Sequence, residues 1–174
     1  VADRGVSEGN GKTGGRESQI KVPNDIVADR KKICGMLTGM STELECINYV
    51  VTGMGINANM EELPEEIKDV ATSILLQTGK RVKRSQLIGA VMESYEKYYN
   101  VFMESGNMSG LLDVYNSYLA NMQRSVRVLQ PVSEYVGTAL GINDAGELLV
   151  KTEDGAVHQV ISGEVSVRGI YGYV

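Results

Sequence analysis

The stretch that decides the fold of this chain reads IKVPNDIVADRKKICGML over residues 20–37. Its apolar positions are interrupted by Pro23-Asn24-Asp25, a combination that favours a turn, so residues 20–27 predict a strand that runs into a turn. Asp29-Arg30-Lys31 predicts a polar hairpin tip, after which Ile33 to Met40 has the composition of a new strand. The stretch therefore predicts β structure built around hairpins.

A second β-rich run follows at Cys46 to Thr52. We expect Tyr49-Val50-Val51 to be the core of this strand and Gly53-Met54-Gly55 to be the turn that ends it. Two cysteines and one distant His make neither a disulfide framework nor a metal site. We therefore expect Cys34 and Cys46 to be reduced core residues, and we expect no bound metal.

The middle of the chain has helical spacing. Pro64 suits the first turn of a helix that we expect to reach Gly79, with Ile67, Val70, Ala71, Ile74 and Leu75 on its apolar side. Ser85 is the predicted cap of a second helix and Ser109 of a third. Their apolar stripes contain Leu87, Ile88, Val91, Met92, Tyr95 and Phe102, and then Leu111, Leu112, Tyr115, Leu119 and Met122. Stripes at this spacing are typical of helices packed on a sheet, which we favour over a ligand-binding box.

From Val126 the apolar period becomes two, with five short strands in the segments 126–128, 135–140, 147–150, 157–161 and 165–167. Turn residues lie between them at 143–146 and 153–155. This pattern predicts a small SH3-like barrel, joined to the rest near Asn121–Ser125. We therefore expect an α+β fold with two units: a mixed β-sheet with packed helices over 1–124, and the barrel over 125–174.

Composition places the chain among globular proteins, with 174 residues, 43% hydrophobic residues and a net charge of −5. No run of eighteen apolar residues occurs, so we expect no membrane partner. The opening Val1-Ala2-Asp3-Arg4-Gly5 has no apolar signal segment, which together with reduced cysteines favours the cytoplasm. A basic stripe and a recognition motif are both missing, so we expect no nucleic-acid partner.

The first 32 residues are basic, with seven basic and five acidic side chains. Their cations lie next to glycines, as in Gly9-Asn10-Gly11-Lys12-Thr13-Gly14, an arrangement suited to a small anion. This segment is not a P-loop, because the spacing before Gly11-Lys12 is wrong and Gly14-Gly15 would begin a helix badly. A merely flexible loop is the alternative.

Two more segments could carry chemistry. Lys21 leaves a strand directly before a turn, where a fixed cation could stabilise charge on a phosphate or acyl oxygen; a snorkelling surface lysine is the alternative. The segment from Gly53 to Asn59 is rich in hydrogen-bonding groups but lacks the third glycine and the helix of a dinucleotide fingerprint.

His158 has no nearby Ser or Cys nucleophile, so we expect a surface or packing residue.

Taken in order, these segments resemble the biotin–protein ligase family. Residues 21–26 look like its Lys-Trp-Pro-Asn-Asp motif and residues 32–37 like its Lys-(Leu/Ile)-x-Gly-Ile-Leu strand. Residues 53–59 are similar to its Gly-x-Gly-Ile-Asn-x-Asn segment, residues 162–168 to its C-terminal barrel signature, and residues 9–14 to its glycine-rich loop. The family pattern also includes residues upstream of Val1 and an internal segment between the glycine loop and Ile20, neither of which this sequence contains.

The resemblance implies a class II synthetase-like core that joins biotin to a lysine of the biotin carboxyl carrier protein of acetyl-CoA carboxylase, through biotinyl-5′-AMP. It implies ATP and Mg²⁺ as cofactors, with biotin as substrate and a homodimer left open. Lys21 would be catalytic, and the residues at biotin and its adenylate would be Gly9, Asn10, Gly11, Lys12, Lys21 and Gly35. Lys12, Lys32 and Asn57 would contact ATP. A non-catalytic relative that only binds biotin, adenylate or a partner is the alternative.

Overall fold

The structure is a computed structural model, which describes residues 18–43, 46–129, 134–161 and 166–169, the last range by its backbone alone. The first sheet has the order β1-β2-β3-β4, with strands β1 Gln19–Lys21, β2 Asp25–Ala28, β3 Lys31–Glu43 and β4 Cys46–Ile56. The helices are α1 Ile74–Thr78, α2 Arg84–Ser105 and α3 Leu112–Tyr118, with a 3₁₀ turn at Ser109–Leu111. The second sheet has the order β8-β7-β6-β5-β9, with strands β5 Ser125–Leu129, β6 Glu134–Ile142, β7 Leu148–Lys151, β8 Val157–Val160 and β9 Ser166–Gly169. The α+β class is therefore confirmed.

The strands of both sheets pair antiparallel throughout the described residues. The expectation of a mixed first sheet is not met there, because each strand pairs with its neighbour along the chain. Parallel contacts among the described residues are two isolated bridges, Ile20 with Leu119 and Lys32 with Ala71. No described helix is long and apolar enough to cross a membrane.

The predicted hairpin tip between β2 and β3 is confirmed. Asp29 and Arg30 have φ of 52° and 62°, as the two central residues of a tight hairpin turn require. The predicted strand and turn at 20–27 are also present, as the β1–β2 hairpin. The glycine-rich segment at residues 1–17 lies outside the described residues.

The expected turn at Gly53-Met54-Gly55 is wrong. These residues continue β4 and pair with Leu37, Met36 and Gly35 of β3. The expected core at Tyr49-Val50-Val51 is also wrong, since these side chains are 60%, 54% and 59% exposed. The physical reason is position: β4 is an edge strand, and no described helix covers this end of the β3–β4 hairpin. Cys46 is exposed for the same reason, whereas Cys34 is buried as expected.

The helix predicted from Pro64 to Gly79 forms only over its last turns. Residues 65–70 are turns, and the chain then extends to meet β3, with the Lys32 amide donating to the Val70 carbonyl and the Thr72 amide to that of Lys32, each over 2.8 Å. The turns before this point keep two bonds of helical spacing, from the Lys68 amide to the Pro64 carbonyl and from the Ala71 amide to the Ile67 carbonyl, but the pairing with Lys32 prevents a continuous helix. Ser73 caps α1 through its hydroxyl, and Gly79 ends it at a φ of 69°.

The second and third predicted helices are present with different starts. Lys83, not Ser85, occupies the N-cap of α2, and Ser109 begins a 3₁₀ turn before α3. Leu87 and Val91 of the predicted α2 stripe are buried, while its other members are exposed: Ile88, Met92, Tyr95 and Phe102.

The five strands predicted after residue 125 are all present, and Gly146 and Gly155 supply the positive φ of the predicted turns. The core of this sheet also contains Val22 and Leu119. The Ala120 amide donates to the Ile20 carbonyl over 2.8 Å, which ties the predicted linker region to β1. Residues from both sides of position 124 therefore build one apolar core.

Candidate functional site

A row of residues crosses the first sheet at one level. Lys21 is paired with Asp25, Asp25 with Gly35, and Gly35 with Gly55. Directly opposite residues of an antiparallel pair project from the same face of the sheet. One face therefore carries a cation, a carboxylate and two stretches of bare backbone in a line.

The neighbouring row projects from the other face and is apolar. It runs through Ile20, Ile26, Cys34 and Ile56 in the same register, and all four line a cavity of about 420 Å³. Aromatic side chains of α2 line the same cavity, among them the stacked pair Tyr95 and Tyr99 with ring centroids 5.7 Å apart. The sheet thus has an apolar face toward the helices and a polar face opposite it.

The polar face opens into a shallow cavity of about 540 Å³, which we call the glycine face. It is lined by Asn24, Lys32, Gly35, Met36, Leu37, Gly53, Met54 and Gly55. Glycine in a strand lets another molecule approach the backbone closely, because no side chain stands above it. This is why the segment that looked like a turn has its glycines at alternate positions: Gly53 and Gly55 lie on one face of β4.

A charged pair stands at the edge of the glycine face. The Lys32 Nζ lies 2.6 Å from Asp25 Oδ1, with the Asp25 side chain 9% exposed and the Lys32 side chain 40% exposed. A Cβ added to Gly35 would lie 2.8 Å from both Cε and Nζ of Lys32. Gly35 therefore provides the space that the Lys32 side chain occupies.

The turn between β1 and β2 is anchored to β3 by backbone and side chain. The Met36 amide donates to the Asn24 carbonyl, and Asn24 Nδ2 donates to the Met36 carbonyl, each over 2.8 Å. These two bonds hold the turn over the sheet. They fix the ends of the strands that carry Lys21 and Asp25.

Lys21 is buried, with 5% of its surface exposed. The alternative of a snorkelling surface lysine is therefore wrong. Burial of an ammonium group is costly unless it meets compensating partners, so a buried lysine at a strand end is a fixed element of the site. Its neighbour Val22 packs into the core of the second sheet, which anchors this strand end.

Asn57 lies at the end of β4 and holds the chain that leads into α1. Its Nδ2 donates to the Thr72 carbonyl over 3.0 Å, and its backbone carbonyl accepts from the Ile74 amide over 2.9 Å. Because the Thr72 amide bonds to the Lys32 carbonyl, Lys32 and Asn57 flank the same segment. Asn59 plays a related structural role, bonding the backbone of Val82 through both ends of its amide.

Cys34 and His158 lie away from the glycine face. Burial raises the pKa of the Cys34 thiol; nearby Lys32 opposes this and Asp25 adds to it. A thiol kept protonated in an apolar row is not a nucleophile. His158 is exposed, and its ring packs against Tyr135 with centroids 4.9 Å apart, so its prediction as a surface or packing residue is confirmed.

Of the predicted site residues, the structure brings together Lys21, Lys32 and Gly35. Asn57 lies on the other side of residues 70–72 from Lys32. Gly9, Asn10, Gly11 and Lys12 lie outside the described residues. Sequence reasoning missed Asp25 as a partner of Lys32, and Gly55 as the end of the row. The alternation of Gly53 and Gly55 along an extended run was the available signal.

The site and fold define a class: an α+β protein with lysines and bare glycine backbone on one sheet face, suited to an anionic ligand. The family model described as "Biotin protein ligase C terminal domain" matches residues 124–168. The "Bifunctional ligase/repressor BirA" of Bacillus subtilis is 32% identical over 164 residues, which are 93% of this chain and 50% of that protein. The Escherichia coli protein of the same name is 24% identical, over 90% of this chain and 48% of its own length.

The solved structures that this chain resembles include biotin protein ligases as well. The biotin protein ligase from Aquifex aeolicus superposes with a TM-score of 0.81 at 27% identity, covering 97% of this chain and 70% of that one. A structure of it in complex with biotin and ATP gives a TM-score of 0.79. Nearly the whole chain is therefore similar to biotin protein ligases. It spans about half the length of the BirA proteins it matches.

Proposed function

We propose that the glycine face takes part in the ATP-dependent ligation of biotin to a lysine of a carrier protein, the biotin carboxyl carrier protein of acetyl-CoA carboxylase. The observation that carries this proposal is the row Lys21–Asp25–Gly35–Gly55, which places a buried cation, a carboxylate and bare backbone in one line. The relation to a ligase solved with biotin and ATP supports the choice of ligands.

In the first step, a biotin carboxylate oxygen attacks the α-phosphorus of ATP. The new bond gives biotinyl-5′-AMP, and the bond from that phosphorus to the bridging oxygen breaks, releasing pyrophosphate. Negative charge grows on phosphate oxygens in this transition state, where preorganised cations stabilise it strongly. Lys21 is proposed to meet the carboxylate and α-phosphate oxygens, and Lys32 the outgoing phosphates.

In the second step, a carrier lysine amine attacks the acyl carbon of the adenylate. The amide bond forms, AMP leaves, and the proton of the amine passes to solvent. No protein nucleophile is needed, which agrees with the buried, protonated Cys34 and with His158 far along the chain. Gly9, Asn10, Gly11 and Lys12 are proposed to close over the adenylate, and Asn57 to contact the nucleotide.

Magnesium is expected to arrive on the ATP phosphates. Mg²⁺ keeps several waters and is commonly bound through substrate phosphates and one or two carboxylates. Within the described ranges, no group of three or more His, Cys, Asp or Glu side chains could hold an ion. The carboxylate at the glycine face, that of Asp25, is engaged by Lys32. The ion would shield phosphate charge, and the chain's own residues orient the nucleotide.

We propose the SH3-like barrel for residues 125–174 and the partial catalytic unit for 1–124. The five-stranded antiparallel sheet and the match to a C-terminal ligase domain support the first assignment. The shared core with Val22 and Leu119 supports a barrel that braces β1, on which Lys21 lies.

A second candidate function is a non-catalytic relative that binds biotin or the adenylate only. The observation that favours it is the same row of residues, because a fixed cation in line with bare backbone can bind biotin or an adenylate without supporting transfer. Biotin-dependent labelling of a carrier domain separates the two. The ligase predicts ATP-dependent biotin transfer, while the binding protein predicts biotin or adenylate binding without transfer.

The labelling assay gains resolution from variants. Lys21→Ala is expected to lower the rate by about 10²- to 10³-fold, the usual cost of losing one preorganised electrostatic group. Lys21→Met retains most of the apolar stem and guards against a purely structural loss. Lys80→Ala, an exposed lysine, is the matched control and should label at the wild-type rate. Equal rates for Lys21→Met and wild type would remove Lys21 from the mechanism.

A further inference from the structure

We propose that Asp25 is a positioning residue, which acts on the nucleotide through Lys32 by holding its ammonium group over Gly35. This inference rests on the proposed function, in which Lys32 meets the nucleotide phosphates. It adds a role for Asp25, which lies in the motif at residues 21–26 but is not among the predicted site residues.

The geometry of the pair supports a positioning role. The Asp25 carboxylate is 9% exposed and lies 2.6 Å from the Lys32 Nζ, a charge-assisted contact on a backbone fixed by pairing with both β1 and β3. The Lys32 side chain is 40% exposed and has four flexible bonds, so it could otherwise sample many rotamers. A nearly buried acceptor on a rigid strand therefore selects one place for a mobile cation.

Gly35 is the second residue that fixes the position of the Lys32 ammonium group. The Cε and Nζ of Lys32 occupy the space where a Cβ of residue 35 would lie, with Asp25 Oδ1 at 3.5 Å from the same point. The ammonium group is thus held between a carboxylate and the bare backbone of β3. Both neighbours belong to the row that crosses the glycine face.

The turn itself does not account for the carboxylate. Asn24 makes both hydrogen bonds that tie the β1–β2 turn to Met36, and the backbone of Asp25 pairs with Lys21 and Gly35. A polar side chain without charge at position 25 would leave these bonds in place. The carboxylate at position 25 does contact the Lys32 ammonium group, so its charge can hold that side chain in place.

The test is a double-mutant cycle on ATP binding and on biotin-dependent adenylate formation, using Asp25→Asn and Lys32→Gln. Asp25→Asn keeps the size of the side chain and removes its charge. We expect it to weaken ATP binding and kcat/KM for ATP by about 10- to 100-fold, as small misplacements of a binding group do, with KM for biotin unchanged. In the Lys32→Gln background the same change should have less than a twofold effect, because the group it positions is gone.

Two further variants sharpen the result. Asp25→Glu retains the charge and should recover part of the lost ATP affinity. Glu65→Gln removes the carboxylate of an exposed pair with Lys68, at 2.5 Å, and is the matched control that should change neither constant. Thermal unfolding of each variant shows that the comparison is made between folded proteins.

The outcomes separate this inference from the proposed function. If Asp25→Asn weakened ATP binding by the same factor with and without Lys32→Gln, the two residues would act independently and the positioning role would be overturned. A rise in KM for biotin as large as the rise in KM for ATP would overturn it too. Both results would leave the ligase reaction standing. Coupled effects on ATP affinity without any adenylate would support the positioning role and overturn the ligase. A wild-type chain that does not bind ATP would overturn both.

Discussion

The substitution Gly35→Ala tests how the glycine face works, since its effect on activity and its effect on folding can be worked separately. A Cβ at this position would lie 2.8 Å from Cε and Nζ of Lys32, and ordinary contact begins near 3.4 Å. The end of the Lys32 side chain must therefore move by about 0.6 Å to restore ordinary contact. Because a misplacement of about 1 Å can cost about 10²-fold in rate, we expect adenylate formation to fall by about 10- to 100-fold.

Folding should be almost unaffected by the same change. The group that must move is the far end of a flexible side chain, so the backbone can stay in place. Replacing Gly by Ala in a compatible conformation gains about 0.4–1 kcal/mol by restricting the unfolded chain. Weakening a half-exposed ion pair costs about 0–1 kcal/mol after solvent screening. The free energy of unfolding should then change by about 1 kcal/mol or less.

Gly39→Ala is the matched control for this experiment. It lies on the same strand, and an added Cβ there has no atom within 4 Å. The assay is biotin-dependent adenylate formation beside urea unfolding, for wild type and both variants. Full activity of Gly35→Ala, or an equal loss in Gly39→Ala, would refute the claim that residue 35 makes room for Lys32.

Two further predictions concern the rest of the molecule. Leu119→Ala should destabilise the protein by about 2–5 kcal/mol, because Leu119 is 3% exposed in the core it shares with the second sheet. Leu37→Ala is the control, since Leu37 is 77% exposed and its truncation should cost little stability in the same urea titration. Similar losses of unfolding free energy in the two variants would argue against the shared core. The hydrogen bond from Thr152, followed by that from the Ala156 amide, lowers the pKa of Asp154, so its stabilising effect is complete above the ordinary carboxyl pKa and disappears as pH falls through the lowered value. Thr152→Val should move the Asp154 pKa upward in an NMR titration, and an unmoved pKa would count against this bond as the main cause.

The strands were the most predictable part of the fold, for a local reason. In residues 125–167, period-two patterning and turn residues mark each strand independently of its partners, and the five strands lie where the pattern puts them. The Asp29-Arg30 turn is equally local. The start of helix α1 was harder to predict, because the segment before it pairs with Lys32 of β3. The spacing of apolar residues within 64–73 carries no information about a hydrogen bond to a distant strand.

The sequence predicted which residues form part of the candidate site, but it did not predict how they are placed relative to one another. Lys21 was singled out by its place at a strand end, whereas the roles of Lys32 and Gly35 came only from the family resemblance. The row that sets Lys21 beside Asp25, Gly35 and Gly55 depends on strand register, which includes a bulge between Ile26 and Val27. Register is set by cross-strand packing, so the Asp25–Lys32 contact emerged only with the structure.

Gly53-Met54-Gly55 shows the limit most clearly. Two glycines directly after a β run are typical of a turn, and the alternation of Gly53 and Gly55 is a weaker sequence signal for a continued strand. In the structure β3 supplies a pairing partner for each of these residues, and that pairing keeps the segment extended. The glycines serve as bare surface.

Biotin-dependent exchange of radiolabelled pyrophosphate into ATP tests the central claim most directly, because it reports the first chemical step without a carrier protein. We predict exchange that requires both biotin and ATP in the wild-type chain, reduced by about 10²-fold or more in Lys21→Met and unchanged in Lys80→Ala. Biotin-dependent exchange at the wild-type rate in folded Lys21→Met would contradict the assignment of the chemistry to the glycine face.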